Sequence, residues 1–216
     1  MNRITGWSPP PARPALESGD AAVWRLPANG ARPIETVLAK YLETTPELVV
    51  LHRSPTGKPE LEHSALHVSL AHSGQVALVA VSDVDVGVDV EWLRDGTEAW
   101  PLVAQALTSS EHAALQSLPI ADRSEAFLST WTRKEALLKA AGIGLALDPR
   151  LIELDEDAVV AAPPELGGTH DWTLAEVPLH RHAAAVALRG PLRRLLLYEW
   201  AAPCADLPDA HPASGA

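Results

Sequence analysis

Residues 82–92 read SDVDVGVDVEW. From Asp83 to Trp92 the alternation is strict. Asp83, Asp85, Gly87, Asp89 and Glu91 share one parity, and Val84, Val86, Val88, Val90 and Trp92 share the other. A period of two with β-branched residues specifies a strand with one buried face. Four carboxylates then line the opposite face. Asp89 and Glu91 stand roughly 7 Å apart along such a strand. Two unit charges at that distance repel by about 0.6 kcal/mol in water and by about 2.4 kcal/mol at an effective dielectric of 20. The first is tolerable, while the second exceeds the ~1 kcal/mol span of β-propensity. Two readings follow: a solvated acidic face, or a cleft in which a cation neutralises the acids. All-oxygen ligation would select a hard ion, Mg²⁺, with Mn²⁺ as the alternative. An EF-hand loop is excluded, because Val88 stands where that loop needs glycine and Arg94 where it needs its last carboxylate. Gly87 is expected to keep the strand open where a ligand approaches.

The chain has 216 residues, 47% of them hydrophobic, so burial does not limit folding. A net charge of −11 argues against non-specific binding to nucleic acid or to an anionic membrane. One cysteine, Cys204, excludes an internal disulfide framework and fits a reducing compartment. No apolar run reaches membrane-spanning length, and the first twenty residues lack the continuous apolar core of a secretion signal. A cytoplasmic chain is expected.

Residues 1–20 and 201–216 are rich in Pro and polar residues and are expected to be loose. Between them, strands are expected at 22–26, 47–53, 66–70, 75–82 and 83–92, with a helix at 32–43 and a turn, SPTGKPE, at 54–60. In the helix, Ile34, Val37, Leu38, Tyr41 and Leu42 share a face, and Pro33 suits its first turn. Thr108-Ser-Ser-Glu111 is a capping-box pattern opening a short helix that Pro119 ends. Asp122-Arg-Ser-Glu125 is a related signal for a long helix through Ala141, stopped by Gly142. Strands are then expected at 151–154, 172–177, 182–189 and 192–200. Helices with mostly hairpin-connected strands give an α+β fold, read as an N-terminal half at 21–96 and a C-terminal half at 97–200.

Within the long helix, Trp131, Glu135 and Lys139 are spaced four apart and stack on one side, with Lys134 adjacent. Alone, this would be an exposed Glu-Lys pair beside a half-buried Trp. Together with the acidic strand it gains meaning. Gly87-Val88-Asp89-Val90-Glu91, followed by Trp131-Thr132-Arg133-Lys134-Glu135-Ala136 and Lys139, resembles the 4′-phosphopantetheinyl transferases, in their Sfp-like branch. Gly57-Lys58-Pro59 resembles that family's G-K-P turn, Val68-Ser69-Leu70-Ala71-His72-Ser73 its F-N-x-S-H-S segment, and Gly142-Ile143-Gly144-Leu145 its G-x-G-L. The resemblance spans roughly residues 47–190 with the motifs in order.

The resemblance implies a pseudo-dimer of two similar α/β halves with coenzyme A as substrate in the cleft between them. It implies transfer of the 4′-phosphopantetheine arm to a serine of an acyl or peptidyl carrier protein, releasing adenosine 3′,5′-bisphosphate. Asp89, Glu91 and Glu135 would hold Mg²⁺. Glu135 would also be the general base, and Lys139 would contact the diphosphate. Lys134 could do the same or pair with an acid of the site. His72 and Lys58 would contact coenzyme A phosphates, with Ser73 a weaker candidate because a strand-end serine often satisfies backbone groups. Arg32 is the candidate for the adenosine 3′-phosphate and Arg53 a distant second, since Glu35 stands where the family commonly has arginine. Ala71 replaces the serine before the histidine. Asp83 and Asp85 have no counterpart in the motif and are expected to be solvated or in a turn; Trp131 is expected to pack.

The acidic charge disfavours long-range attraction of an acidic carrier, so docking would rest on an apolar patch. Residues 97–107, with Trp100 and Leu102, are the candidate, against a reading as a core-facing helix. A monomer is expected. The competing functions are a degenerate homologue that binds carrier or coenzyme A without transfer, and a Mg²⁺-dependent phosphohydrolase. No P-loop, G-x-S-x-G or zinc-ligand spacing is present.

Overall fold

The computed structural model describes residues 3–4, 6–29, 32–62, 64–93 and 105–200. The candidate docking residues Trp100 and Leu102, and the tail from 201, lie outside the described residues. The first stretch of chain forms β1 (Arg3–Ile4), β2 (Asp20–Pro27), α1 (Pro33–Tyr41), β3 (Leu51–Arg53), β4 (Pro59–Leu61), β5 (His67–Ser73), β6 (Val76–Ser82) and β7 (Val86–Trp92). Then follow α2 (Ser109–Ser117), α3 (Ile120–Ala140), β8 (Glu153–Asp155), β9 (Ala158–Ala161), β10 (Trp172–Glu176), β11 (His182–Arg189) and β12 (Arg194–Glu199). The protein is mixed α+β, as the sequence pattern indicates.

The strands form a seven-stranded sheet in the order β1-β12-β2-β6-β5-β4-β3, a three-stranded sheet β10-β11-β7 and the hairpin β8-β9. β7 leaves the sheet of its sequence neighbours and pairs antiparallel with β11. β12 travels the other way and pairs in parallel with β2. Each stretch expected to be a half thus sends one strand into the other's sheet. Of residues 1–20, Arg3–Ile4 pair with β12, and Ser8 N–H donates to Leu197 O at 3.1 Å. Buried Asp20 meets Arg194 through paired hydrogen bonds, fastening β2 to β12.

Three apolar layers set this arrangement. Val23, Leu78 and Leu195 of the large sheet meet Val86, Val88, Val90 and Val186 of the small one. α1 covers the outer face of the large sheet, with Val37 and Leu38 on Trp24, Val79 and Val81. α3 covers the outer face of the small sheet, with Ala136, Leu137 and Ala140 among Leu174, Ala185 and Ala187. β6 is therefore buried on both faces, which is why QVALVAVS reads as a continuous apolar run rather than an alternation.

Local signals act as read only in part: the strand expected at 47–53 shrinks to Leu51–Arg53 behind a 3₁₀ turn at Pro46–Leu48, and β4 and β9 form where no strand is expected. The capping box forms at Thr108 and Glu111. The long helix, however, starts at Ile120 from Pro119, with no side-chain cap, so the Asp122 to Glu125 signal goes unused. The strand expected from Asp83 starts at Val86, because the two acids before it are held elsewhere. Asp83 Oδ1 accepts from Gly19 N–H at 3.1 Å. Asp85 Oδ1 lies 3.1 Å from His67 Nδ1 and 3.8 Å from Lys58 Nζ. Of the two alternatives for these acids, the turn before β7 is the one observed, with both half-buried.

Candidate active site

Gly87, Asp89 and Glu91 point to the same side of β7. A Cβ on Gly87 would stand 2.0 Å from Ala136 O and 2.4 Å from Ala140 N. That distance fixes the meaning of the acidic face: it is covered by the backbone of α3. The close approach that Gly87 permits is therefore the helix, not a ligand as expected. Asp89 is only 6% exposed in consequence, so the solvated reading of the face fails at this residue.

Lys139, on the face of α3 toward β7, answers the buried charge. Its Nζ donates to Asp89 Oδ1 at 2.6 Å and to Val88 O at 3.3 Å. Burial pushes the Asp89 carboxyl up to about 6; the Lys139 ammonium opposes this and the Glu91 charge adds to it. Glu135 lies one turn before Lys139. Burial, then the charge of Asp89, push it up to about 7, against the pull of Lys139. Glu91 is steadied from the large sheet: Ser73 Oγ donates to its Oε2 at 3.0 Å and accepts from Trp92 N–H at 3.0 Å. Ser69 Oγ accepts from Val88 N–H at 3.1 Å, so two serines four apart on β5 each take one N–H from the free edge of β7.

The donor set suits a hard cation. Among the described residues, Asp89 Oδ2 and Glu135 Oε1 are buried without a hydrogen-bond partner, an arrangement that costs free energy unless something fills it. The side chains are not gathered beforehand: no group of three or more acidic, His or Cys side chains among the described residues is drawn together as a metal site.

Beside these acids lies a cavity of about 320 Å³ lined by Arg53, Lys58, Leu70, Glu135, Lys139 and Gly144, among others. It brings together two of the expected phosphate-binding residues with the acid-base pair of α3. Lys58 Nζ is turned to Ala140 O at 2.6 Å, and burial pulls its ammonium below the usual lysine range. Arg53 Nη1 donates to Gly57 O at 2.9 Å. Arg32, at the start of α1 with φ 51°, pairs with Glu35 at 3.3 Å. His72 is exposed and, by strand alternation, faces away from Ser69 and Ser73. Lys134 requires a correction. It is fully buried, donating to Glu111 Oε2 at 2.5 Å, Ala106 O at 2.9 Å and Pro149 O at 3.1 Å. Neither role expected for it is observed: it pairs not with an acid of the site but with the capping-box glutamate of α2. Trp131 packs with Phe127 and Leu115. Thr56, read only as part of a turn, donates to Gly142 O at 2.5 Å, and no local pattern marks that contact.

The sequence model of the 4′-phosphopantetheinyl transferase superfamily matches residues 85–188. The chain is 34% identical over 163 residues to the 4′-phosphopantetheinyl transferase HetI of Nostoc sp., covering 73% of this chain and 68% of that protein. The chain belongs to the 4′-phosphopantetheinyl transferase superfamily. A putative 4′-phosphopantetheinyl transferase of Synechocystis sp. is 31% identical over 151 residues, with 68% of this chain and 61% of that protein covered. The 4′-phosphopantetheinyl transferase of Bacillus subtilis is 28% identical over 131 residues, with 59% and 58% covered. The matched superfamily segment runs from the acid before β7 to the end of β11 and so contains Asp89, Glu91, Glu135 and Lys139. Among the described residues of this superfamily member, no helix is long and apolar enough to cross a membrane.

Proposed function

We propose that the protein transfers the 4′-phosphopantetheine arm of coenzyme A to a serine of an acyl or peptidyl carrier protein, releasing adenosine 3′,5′-bisphosphate. The observation that carries this is the Lys139–Asp89 contact with Glu135 on the same helix face, at the edge of a cavity that also holds Arg53. Asp89, Glu91 and Glu135 would hold a Mg²⁺ or Mn²⁺ ion, which when bound offsets charge on the diphosphate. The chain's own groups do the rest. Lys139 and Arg53 place cations beside the phosphates. Glu135 is placed to take the proton from the carrier serine. The serine oxygen then bonds to the β-phosphorus, and the bond from that phosphorus to the bridging oxygen breaks, with the electron pair leaving on the nucleotide. A cytoplasmic monomer, with the two sheets and their covering helices α1 and α3 as the two halves, completes this reading.

Intact-mass measurement of several apo carrier proteins after incubation with the protein, coenzyme A and Mg²⁺ tests it. The expected product is a carrier heavier by one phosphopantetheine arm. Unmodified carriers throughout would overturn the transferase reading. Retained binding of coenzyme A in that case would point to the non-transferring homologue, a reading favoured by one observation: Arg32, the candidate for the adenosine 3′-phosphate, is paired with Glu35.

A further inference from the structure

The turn between β5 and β6 wraps the end of β7 beside the acids. By strand alternation, the face of β5 toward β7 carries Ser69, Ala71 and Ser73. These side chains are small, so the edge of β7 comes within hydrogen-bond distance of β5. Val88 N–H meets Ser69 Oγ, and Trp92 N–H meets Ser73 Oγ. Ala71, between the two serines, is buried in the layer that holds Val88 and Val90. Beyond Ser73, Gly74 takes φ +58° under the Trp92 ring, and a Cβ there would stand 3.6 Å from that ring. Gln75 O accepts from Ala28 N–H at 3.0 Å, which ties the turn to the end of β2. Ser73 is thus fixed by the large sheet while its hydroxyl reaches the small one.

The two serines do different things. Ser69 meets the main chain of β7, while Ser73 meets the main chain and a carboxylate. A serine hydroxyl has one proton to give and lone pairs to receive. The Trp92 N–H can only donate, so it takes a lone pair of Ser73 Oγ. The proton is left for Glu91 Oε2, 3.0 Å away. The backbone therefore sets the direction of both bonds. Lys139 holds Asp89 by an ion pair, which offsets the aspartate charge. Ser73 holds Glu91 with a neutral group, so the glutamate keeps its full charge for a divalent ion. Glutamate is among the side chains with the most rotamer freedom to lose. A bond that fixes it in advance favours cation binding.

We propose that Ser73 is a positioning residue for the cation site, a role that rests on reading Asp89, Glu91 and Glu135 as cation ligands. It acts through Glu91, aiming that carboxylate at the ion, rather than by contact with coenzyme A.

The test uses the full chain with three substitutions. Ser73→Ala removes both bonds, Ser73→Thr keeps the hydroxyl, and Ser69→Ala removes a bond to β7 without touching Glu91. Mn²⁺ is the probe, with coenzyme A and carrier left out, and the free ion is read by electron paramagnetic resonance. Its dissociation constant should rise about tenfold in Ser73→Ala, the scale on which partners of metal ligands act. It should stay within about twofold of wild type in Ser73→Thr and Ser69→Ala. In carrier modification, the Mn²⁺ concentration for half-maximal rate should rise about tenfold in Ser73→Ala, with KM for coenzyme A at saturating Mn²⁺ within about twofold. Equal Mn²⁺ affinity in wild type and Ser73→Ala would overturn the role of Ser73. So would an equal weakening in Ser69→Ala, which would trace the effect to the packing of β7. A raised KM for coenzyme A with unchanged Mn²⁺ affinity would put Ser73 on coenzyme A and overturn its positioning role. Wild-type protein that takes up no Mn²⁺ would remove the cation reading, and the role of Ser73 with it. If wild type binds Mn²⁺ but transfers nothing, the transferase reading fails and the Mn²⁺ affinities alone decide the role of Ser73.

Discussion

Lys139 Nζ lies 2.6 Å from Asp89 Oδ1, joining helix α3 to strand β7 across 50 residues of sequence. The pair is partly buried, with the lysine side chain 30% exposed and the aspartate 8%. It holds together two motifs that are separate in the sequence. It also leaves the other oxygen of Asp89 free of hydrogen bonds, so the aspartate can serve the lysine and a cation at once.

The close packing behind that pair makes Gly87 the most sensitive position in the strand. Gly87→Ala would place a methyl group 2.0 Å from the Ala136 carbonyl oxygen. The obstructing atoms are main chain, so no rotamer change relieves the clash. The expected loss is about 3 kcal/mol or more, at or beyond the usual range for overpacking. Urea denaturation of the purified variant checks it; a loss below about 1 kcal/mol would contradict the packing described.

The raised carboxyls give a definite pH dependence. Asp89 at about 6 and Glu135 at about 7 hold their protons to higher pH in the folded chain than in the unfolded one. Burial is the leading cause for both. Their stabilising contribution is therefore complete below the unfolded carboxylate range and is lost as pH rises through about 6 and about 7. In the presence of a chelator, the wild-type Tm should fall from pH 5 to pH 8, and Glu135→Gln should fall less. Added Mg²⁺ should restore the wild-type Tm at pH 8. An equal fall in Glu135→Gln would show that this carboxyl is not the titrating group.

Lys134 supplies a contrast with Lys139. Lys134 is sealed among Glu111, Ala106 O and Pro149 O. Lys134→Met leaves Glu111 buried without its counter-charge, and the expected cost is about 3–5 kcal/mol of stability. KM for coenzyme A in the protein that remains folded should be unchanged. A raised KM with unchanged denaturation would place Lys134 on the substrate after all.

What was legible in the sequence followed from local rules. The parity of SDVDVGVDVEW identified the acidic side of β7, and the spacing of four put Glu135 and Lys139 on one helix face. The capping box at Thr108 was equally local. What stayed hidden depends on which surface meets which. Parity says that Gly87 and Asp89 share a side, but not that a helix backbone covers it. The Glu111 pattern announces a cap, yet its carboxylate also receives Lys134 from 23 residues away. The stretch LRRLLLYEW announces a strand, but its partner is chosen by Asp20 and Arg194, 174 residues apart. The turn SPTGKPE shows a lysine and a threonine without showing the Ala140 and Gly142 carbonyls they meet.

The central claim is that Asp89, Glu135 and Lys139 form one site that moves the phosphopantetheine arm. The most direct measurement is the rate of carrier-protein mass increase with coenzyme A and Mg²⁺ for wild type beside Glu135→Gln and Asp89→Ala, each checked for folding by its thermal transition. The expected result is modification by wild type and a loss of at least a hundredfold in both folded variants, the scale of general acid–base catalysis. A folded Glu135→Gln or Asp89→Ala protein that modifies the carrier at the wild-type rate would contradict it.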